Sequence, residues 1–201
     1  MKKSILFVGC FILLVGNAQA REGAYIGANL AWSQIDTNSR GGALVERVDK
    51  KDDGFGGSLY AGYGRMGANG FLALEVNAAM SDTKVDITLG HDKSTLEMKD
   101  SFGAGFLMGA NLPHNFAAYA RIGWQNSKFK NSNSAEDAQW SRFSTHDGLR
   151  YGVGVMAGLS ELIDLRFELH RTDYNRKTYS DFGTSIKPSE NALAIGATLR
   201  F

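Results

Sequence analysis

Residues 192–201, Ala-Leu-Ala-Ile-Gly-Ala-Thr-Leu-Arg-Phe, decide the fold. Leu193, Ile195, Ala197, Leu199 and Phe201 are apolar at every second place, whereas Ala192, Ala194, Gly196, Thr198 and Arg200 between them are small or polar. A period of two belongs to a strand whose two faces meet different surroundings. The pattern recurs upstream at Ala24/Ile26/Ala28/Leu30/Trp32, Leu59/Ala61/Tyr63, Leu72/Leu74/Val76/Ala78/Met80 and Phe102/Ala104/Phe106/Met108/Ala110. It continues at Ala118/Ala120/Ile122/Trp124, Leu149/Tyr151/Val153/Val155/Ala157 and Ile163/Leu165/Phe167/Leu169, which with the last segment makes eight strands.

The spacers alternate in length. Three are short, 65–70, 112–115 and 160–162; four are long and polar, roughly 36–53, 81–100, 126–147 and 175–190. Within the second long spacer, Val85, Ile87 and Leu89, then Leu96 and Met98, carry the alternation beyond the main body. Long and short connections on opposite ends are what an up-and-down antiparallel barrel produces when its two rims face different compartments. A soluble lipocalin-type barrel also alternates, with the apolar face inward, so the polar face must decide. That face carries Gly27, Gly62, Gly103, Gly105, Gly123, Gly152 and Gly154 beside Tyr60, Tyr119, Arg121, Arg150, Arg166 and Glu168. The 24 glycines among 201 residues exceed the usual share of about 7%. Glycine weakens a water-facing strand, but it relieves crowding at the axis of a narrow barrel. The polar face is therefore read as interior and the apolar face as lipid-facing, where closure leaves no unpaired backbone group. The expected fold is all-β: an eight-stranded antiparallel up-and-down transmembrane β-barrel.

The first twenty residues read as a secretory signal peptide: Lys2 and Lys3, an apolar run from Ile5 to Gly16, and small residues at Ala18 and Ala20 before a cleavage site. The run is too short to span a bilayer as a helix. A lipoprotein signal ending at Cys10 would leave a strongly apolar mature terminus, and is the lesser alternative. The expected organisation is a leader over 1–20 and one barrel domain over 21–201. Cys10 is the only cysteine, so the barrel domain has neither disulfide nor thiol chemistry. The chain holds 22 Lys and Arg against 21 Asp and Glu, and no long spacer is a polybasic patch, which argues against nucleic acid as a partner.

ALAIGATLRF, with apolar residues at every second place back from a final Phe, resembles the terminal strand of bacterial outer-membrane proteins. Together with YAGYG (60–64), ALEVN (73–77), YARIGW (119–124), YGVGV (151–155) and LRFELHRTDY (165–174), the chain resembles the small outer-membrane β-barrel family that includes opacity-protein-like adhesins. The resemblance covers nearly all of 21–201. It implies the outer membrane of a Gram-negative bacterium, extracellular long loops and periplasmic termini. It also implies contact with outer-membrane lipid and lipopolysaccharide, and a possible host or cell-surface ligand. Leu193, Ile195, Ala197, Leu199 and Phe201 would form the signal read by the barrel-assembly machinery. One departure is Met156, where such barrels often carry an inward carboxylate.

Glu75, Arg121, Arg150, Arg166 and Glu168 share inward parity. They read either as the selectivity lining of a pore or as a paired network plugging the barrel. An eight-stranded interior is just wide enough for side chains, and charges in such a lumen are tolerated mainly when paired, which favours the plug. His170-Arg171-Thr172 with Glu190 faintly resembles the hydrolytic set of outer-membrane lipid A acyl hydrolases, but His170 has inward parity whereas that chemistry faces the bilayer. His91, His114 and His146 fall in spacers without metal-ligand spacing, and the glycine-rich stretches precede no helix that could cradle phosphate. No catalytic residue, metal ligand or cofactor is expected. The aromatic residues Phe129, Trp140 and Phe143, then Tyr174, Tyr179 and Phe182, read as membrane-interface anchors in preference to binding anchors. The leading expectation is a non-enzymatic surface-interaction or envelope-maintenance role; the alternatives are a small-solute channel and, lower, a lipid A hydrolase.

Overall fold

A computed structural model describes residues 23–40, 49–67, 69–89, 92–135, 138–179 and 184–201. The leader expected over 1–20 and His91 lie outside them. The regular elements are ten strands: β1 (Gly23–Arg40), β2 (Asp49–Met66), β3 (Gly70–Ser81), β4 (Lys84–Leu89), β5 (Asp92–Leu112), β6 (Phe116–Ala135), β7 (Ala138–Gly158), β8 (Ile163–Tyr174), β9 (Lys177–Tyr179) and β10 (Thr184–Arg200).

Eight of them, all but β4 and β9, pair antiparallel in chain order, and β1 pairs β10 to close the barrel. The closing register runs from Tyr25↔Arg200 to Arg40↔Ser185, and the Phe201 amide donates to the Ala24 carbonyl at 3.0 Å. Three tight connections lie at the rim that also holds Gly23 and Phe201. In one of them, between Leu112 and Phe116, His114 and Asn115 are both left-handed at φ 62° and 61°.

Strand β3 shows which way the wall faces. Leu74 is 66% exposed, Glu75 2% and Val76 59%, so the apolar face is outside and the carboxylate inside. The outward row of the C-terminal strand, from Leu193 to Phe201, is likewise exposed.

The long spacers are largely strand, not loop. β1 runs to Arg40 and β2 begins at Asp49; β6 and β7 pair as far as Ala135↔Ala138. The alternation at Val85–Leu89 and Leu96–Met98 becomes β4 and the start of β5, which pair from Lys84↔Glu97 to Leu89↔Asp92. A bulge between Met98 and Ser101 marks where β5 leaves the barrel wall for this extension. The tally of eight strands thus holds for the barrel; the two further strands are β4, on β5, and the short β9, on β10.

Along β6 the two faces exchange polarity. Outward residues run Ala118, Ala120, Ile122, Trp124 and then Asn126, Lys128, Lys130; inward residues run Tyr119, Arg121, Gly123, Gln125, Ser127 and then Phe129. Strands β1 and β8, which flank β10, make the same switch in register: Trp32 gives way to Gln34 and Leu169 to Arg171 outside, while Ser33 gives way to Ile35 and Thr172 to Tyr174 inside. Lipid requires apolar groups outside the wall, and water above it requires them inside.

Candidate functional site: a lumen closed at both ends

The interior is stacked in layers, each built from inward positions. At the short-turn end Phe71, Ala73, Leu107, Ala117, Tyr119 and Met156 form one buried apolar cluster. Met156, the departure from the family pattern, therefore supplies a thioether to this seal in place of a charge. Near this end Arg200 pairs with the buried Asp164.

Above this cluster the structure brings four of the five inward charges together. Glu75 binds two guanidinium groups, Arg121 Nη1 at 2.6 Å through one oxygen and Arg166 Nη1 at 2.6 Å through the other. Arg166 Nη2 reaches Glu168 at 2.5 Å, and its Nε donates to the Tyr119 hydroxyl at 2.7 Å. That hydroxyl donates in turn to Glu168 at 2.7 Å, so Tyr119 uses one lone pair and its one proton. Tyr25 donates to Glu75 at 3.2 Å, and Arg121 Nη2 to Asn77 at 3.1 Å. The Arg166 guanidinium also lies over the rings of Tyr60 and Tyr119, at 4.7 and 5.1 Å from their centroids. Desolvating such charges is tolerable because each carboxylate accepts more than one charge-assisted bond.

Arg150, the fifth, does not join them. Its Nη2 is 3.6 Å from Glu190 and its Nε donates to Thr172 at 3.1 Å, one layer higher. Glu190, reached in sequence only through the hydrolase resemblance, completes the balance: three carboxylates, Glu75, Glu168 and Glu190, face three guanidinium groups, Arg121, Arg150 and Arg166. Continuing the parity of the C-terminal strand back to residue 190 places that carboxylate inside. Tyr60 and Tyr119, which the sequence places on the interior face, touch the network, and Tyr25, which that reading does not include, joins them.

Register explains the glycines. Tyr60 is paired with Gly27, Tyr25 with Gly62, Tyr119 with Gly154, and Tyr174 with Gly148. A Cβ on Gly27 would come within 2.2 Å of the Tyr60 ring, and one on Gly154 within 2.3 Å of the Tyr119 ring. Each tyrosine lies flat against a wall that only glycine leaves bare.

The far end is closed by Ile35, Met98, Phe129 and Tyr174, all nearly inaccessible. Phe129 meets Tyr174 edge-on at 5.4 Å and His146 at 5.2 Å. Tyr174 shares hydrogen bonds with Ser127 at 2.8 Å and Glu190 at 3.3 Å. Phe129 and Tyr174 were expected as interface anchors; they turn inward because parity carries them there, while Phe143 points outward and is 66% exposed. The side chains of Trp140, Tyr179 and Phe182 lie outside the described residues. His146 is not in a loop but on β7, buried among Phe129, Ser144 and the Asn175 carbonyl. Burial pushes its imidazole below the usual histidine range.

His170, Thr172 and Glu190 all face the lumen. Thr172 is fully buried and bonded to Arg150, and His170 Nδ1 is 3.1 Å from Glu168. No ester in the bilayer could reach them through the wall. Among the described residues no group of three His, Cys, Asp or Glu side chains has metal-binding geometry.

A search of curated proteins finds no match to this chain. Solved structures do resemble it in fold. The outer-membrane protein OprG of Pseudomonas aeruginosa aligns at 14% identity and TM-score 0.53, covering 89% of this chain and 96% of its own. Neisserial surface protein A aligns at 16% and 0.52, covering 89% and 97%. A major outer-membrane protein of Thermus thermophilus aligns at 13% and 0.51, covering 87% and 99%. The sequence itself matches the outer membrane protein beta-barrel domain over residues 4–201. With the inverted wall, the closed eight-stranded ladder and this match over nearly its whole length, the chain belongs to the outer membrane protein beta-barrel family.

Proposed function

We propose that this protein is a non-conducting platform that presents a β-sheet at the cell surface for interaction or envelope maintenance, and that it performs no chemistry of its own. The observation that carries this reading is the filled lumen: among the described residues a charge-balanced network stands between two buried apolar clusters. The part that offers a surface is instead the extension of β4, β5, β6 and β7, whose outward face above Trp124 carries Asn126, Lys128, Lys130 and the exposed Phe143. Surface loops carried on a rigid barrel are where binding residues concentrate. In the same reading, Leu193, Ile195, Ala197, Leu199 and Phe201 are the strand recognised during assembly, and residues 1–20 are the leader removed before it.

The test separates platform from extension. Residues 131–140 are replaced by a two-residue Asn-Gly turn, and the variant is compared with the parent in a strain lacking the protein. Retained heat-modifiable folding with loss of the cell-surface adherence or envelope-integrity phenotype is expected. An unchanged phenotype, lost instead on substitution in the lumen, would reverse the assignment.

A further inference from the structure

The β4–β5 hairpin joins the barrel wall through two residues, Asp82 and Thr83. The pairing of β3 with β5 ends at Met80↔Asp100 and that of β4 with β5 begins at Lys84↔Glu97. The step takes four residues on one side, from Met80 to Lys84, and three on the other, from Asp100 to Glu97. A slip of one residue therefore falls where the chain passes from wall to hairpin. Beyond it, among the described residues, β4 takes its strand partner from β5 alone. Such an edge strand, paired on one side, opens more readily than the closed wall below it.

Thr83 is fully buried at this junction although its side chain is polar. Its Oγ1 lies 2.7 Å from the Ser81 hydroxyl and 3.0 Å from that of Ser33, and its amide donates to Ser81 Oγ at 3.2 Å. Three hydroxyls, from β1, β3 and the junction, thus satisfy one another inside the wall. Gly54, paired with Ser33, provides the room. A Cβ there would fall 2.2 Å from Thr83 Oγ1 and 2.6 Å from its Cα, a clash that no change of rotamer relieves. On the side of β5 the Thr83 carbonyl accepts from the Met98 amide at 3.0 Å, and Met98 belongs to the upper seal with Ile35, Phe129 and Tyr174.

We infer that Thr83 is a latch: seated in the notch at Gly54, it fixes the β4–β5 hairpin to β1 and β2 and ties it to the upper seal through Met98. Displacing the hairpin carries the Met98 amide along with the Thr83 carbonyl and draws the Met98 side chain away from Phe129, its cross-strand partner. The surface sheet and the seal beneath it are therefore one mechanical unit. The latch is a property of the fold and does not require that the extension bind a partner.

The test uses the full-length protein refolded in micelles, with amide protection factors along the chain and nuclear Overhauser spectra of methyl-labelled methionine. In Gly54→Ala the new methyl group expels Thr83. Protection at Lys84–Leu89 should fall about tenfold, as when roughly one hydrogen bond is lost from a local opening equilibrium. The cross-peak between the Met98 methyl group and the Phe129 ring should weaken with it, while protection at Leu72–Val76 and the gel shift of the folded barrel are kept. Thr83→Ala, which empties the notch without a clash, should give the same result and serves if Gly54→Ala does not fold. Equal protection of β4 in parent and variants overturns the latch. A loosened β4 with the Met98–Phe129 cross-peak intact overturns the tie to the seal.

Discussion

The wall of the barrel and the sheet it carries above the membrane are continuous strands, and on β6 one alternation runs through both, yet their faces mean opposite things. Below Trp124 on β6 the inward positions are Tyr119, Arg121 and Gly123 and the outward ones Ala118, Ala120 and Ile122; above it the outward ones are Asn126, Lys128 and Lys130, and the inward row passes through Gln125 and Ser127 to Phe129. The lower part hides its charges and the upper part hides its rings. The lesson is that period gives the geometry of a strand, whereas the identity of each face is set by the surrounding solvent.

The largest effect expected from breaking this arrangement is in the lower interior. Glu75→Gln removes the carboxylate shared by Arg121 and Arg166 and leaves buried guanidinium groups without their counter-charge, which should cost roughly 3–5 kcal/mol of folding stability. Urea unfolding followed by the folded-to-unfolded gel shift measures it; a change no larger than that of a surface variant would mean the network contributes little.

The outward face provides a matched pair across the boundary. Ile195→Arg, in the lipid band, should cost about 2–4 kcal/mol if it lies near the bilayer midplane. Lys130→Leu, with the same outward parity above the boundary, should stay within about 0.5 kcal/mol. Equal costs in lipid vesicles would erase the boundary drawn at Trp124.

A smaller effect, confined to the upper seal, is set by pH. Burial holds the His146 imidazole below its unfolded value of about 6.5, so the unfolded chain binds the proton more readily than the folded one. Stability from this site is therefore level above pH 6.5 and falls as the pH drops from there toward the depressed folded value. Amide protection factors at Phe129 and Tyr174, with the intrinsic pH dependence of exchange divided out, should fall in that window, and His146→Gln should flatten the dependence. A fall in protection above pH 7 would contradict the sign.

Within the lipid band the architecture was legible from sequence. Alternation located all eight barrel strands, glycine among Tyr, Arg and Glu identified the interior, and the three short spacers marked one rim. The seals were less legible, because Phe129 and Tyr174 look like interface aromatics when polarity alone is read; counting parity up from Trp124 and Leu169 turns them inward. What sequence could not supply is cross-strand register. Only pairing shows that Gly27 faces Tyr60, or that Glu190 stands opposite Thr172 beside Arg150, one layer above the other charges.

The central claim is that this lumen is shut, and conductance in planar bilayers tests it most directly. The purified protein should give no steady single-channel steps. Phe129→Ala, which opens the upper seal, should leave the membrane equally silent, because Phe71, Leu107 and Met156 still close the other end. Reproducible steps from the unmodified protein, with ion selectivity that changes in Glu75→Gln, would contradict the account and make the charge network the lining of a pore.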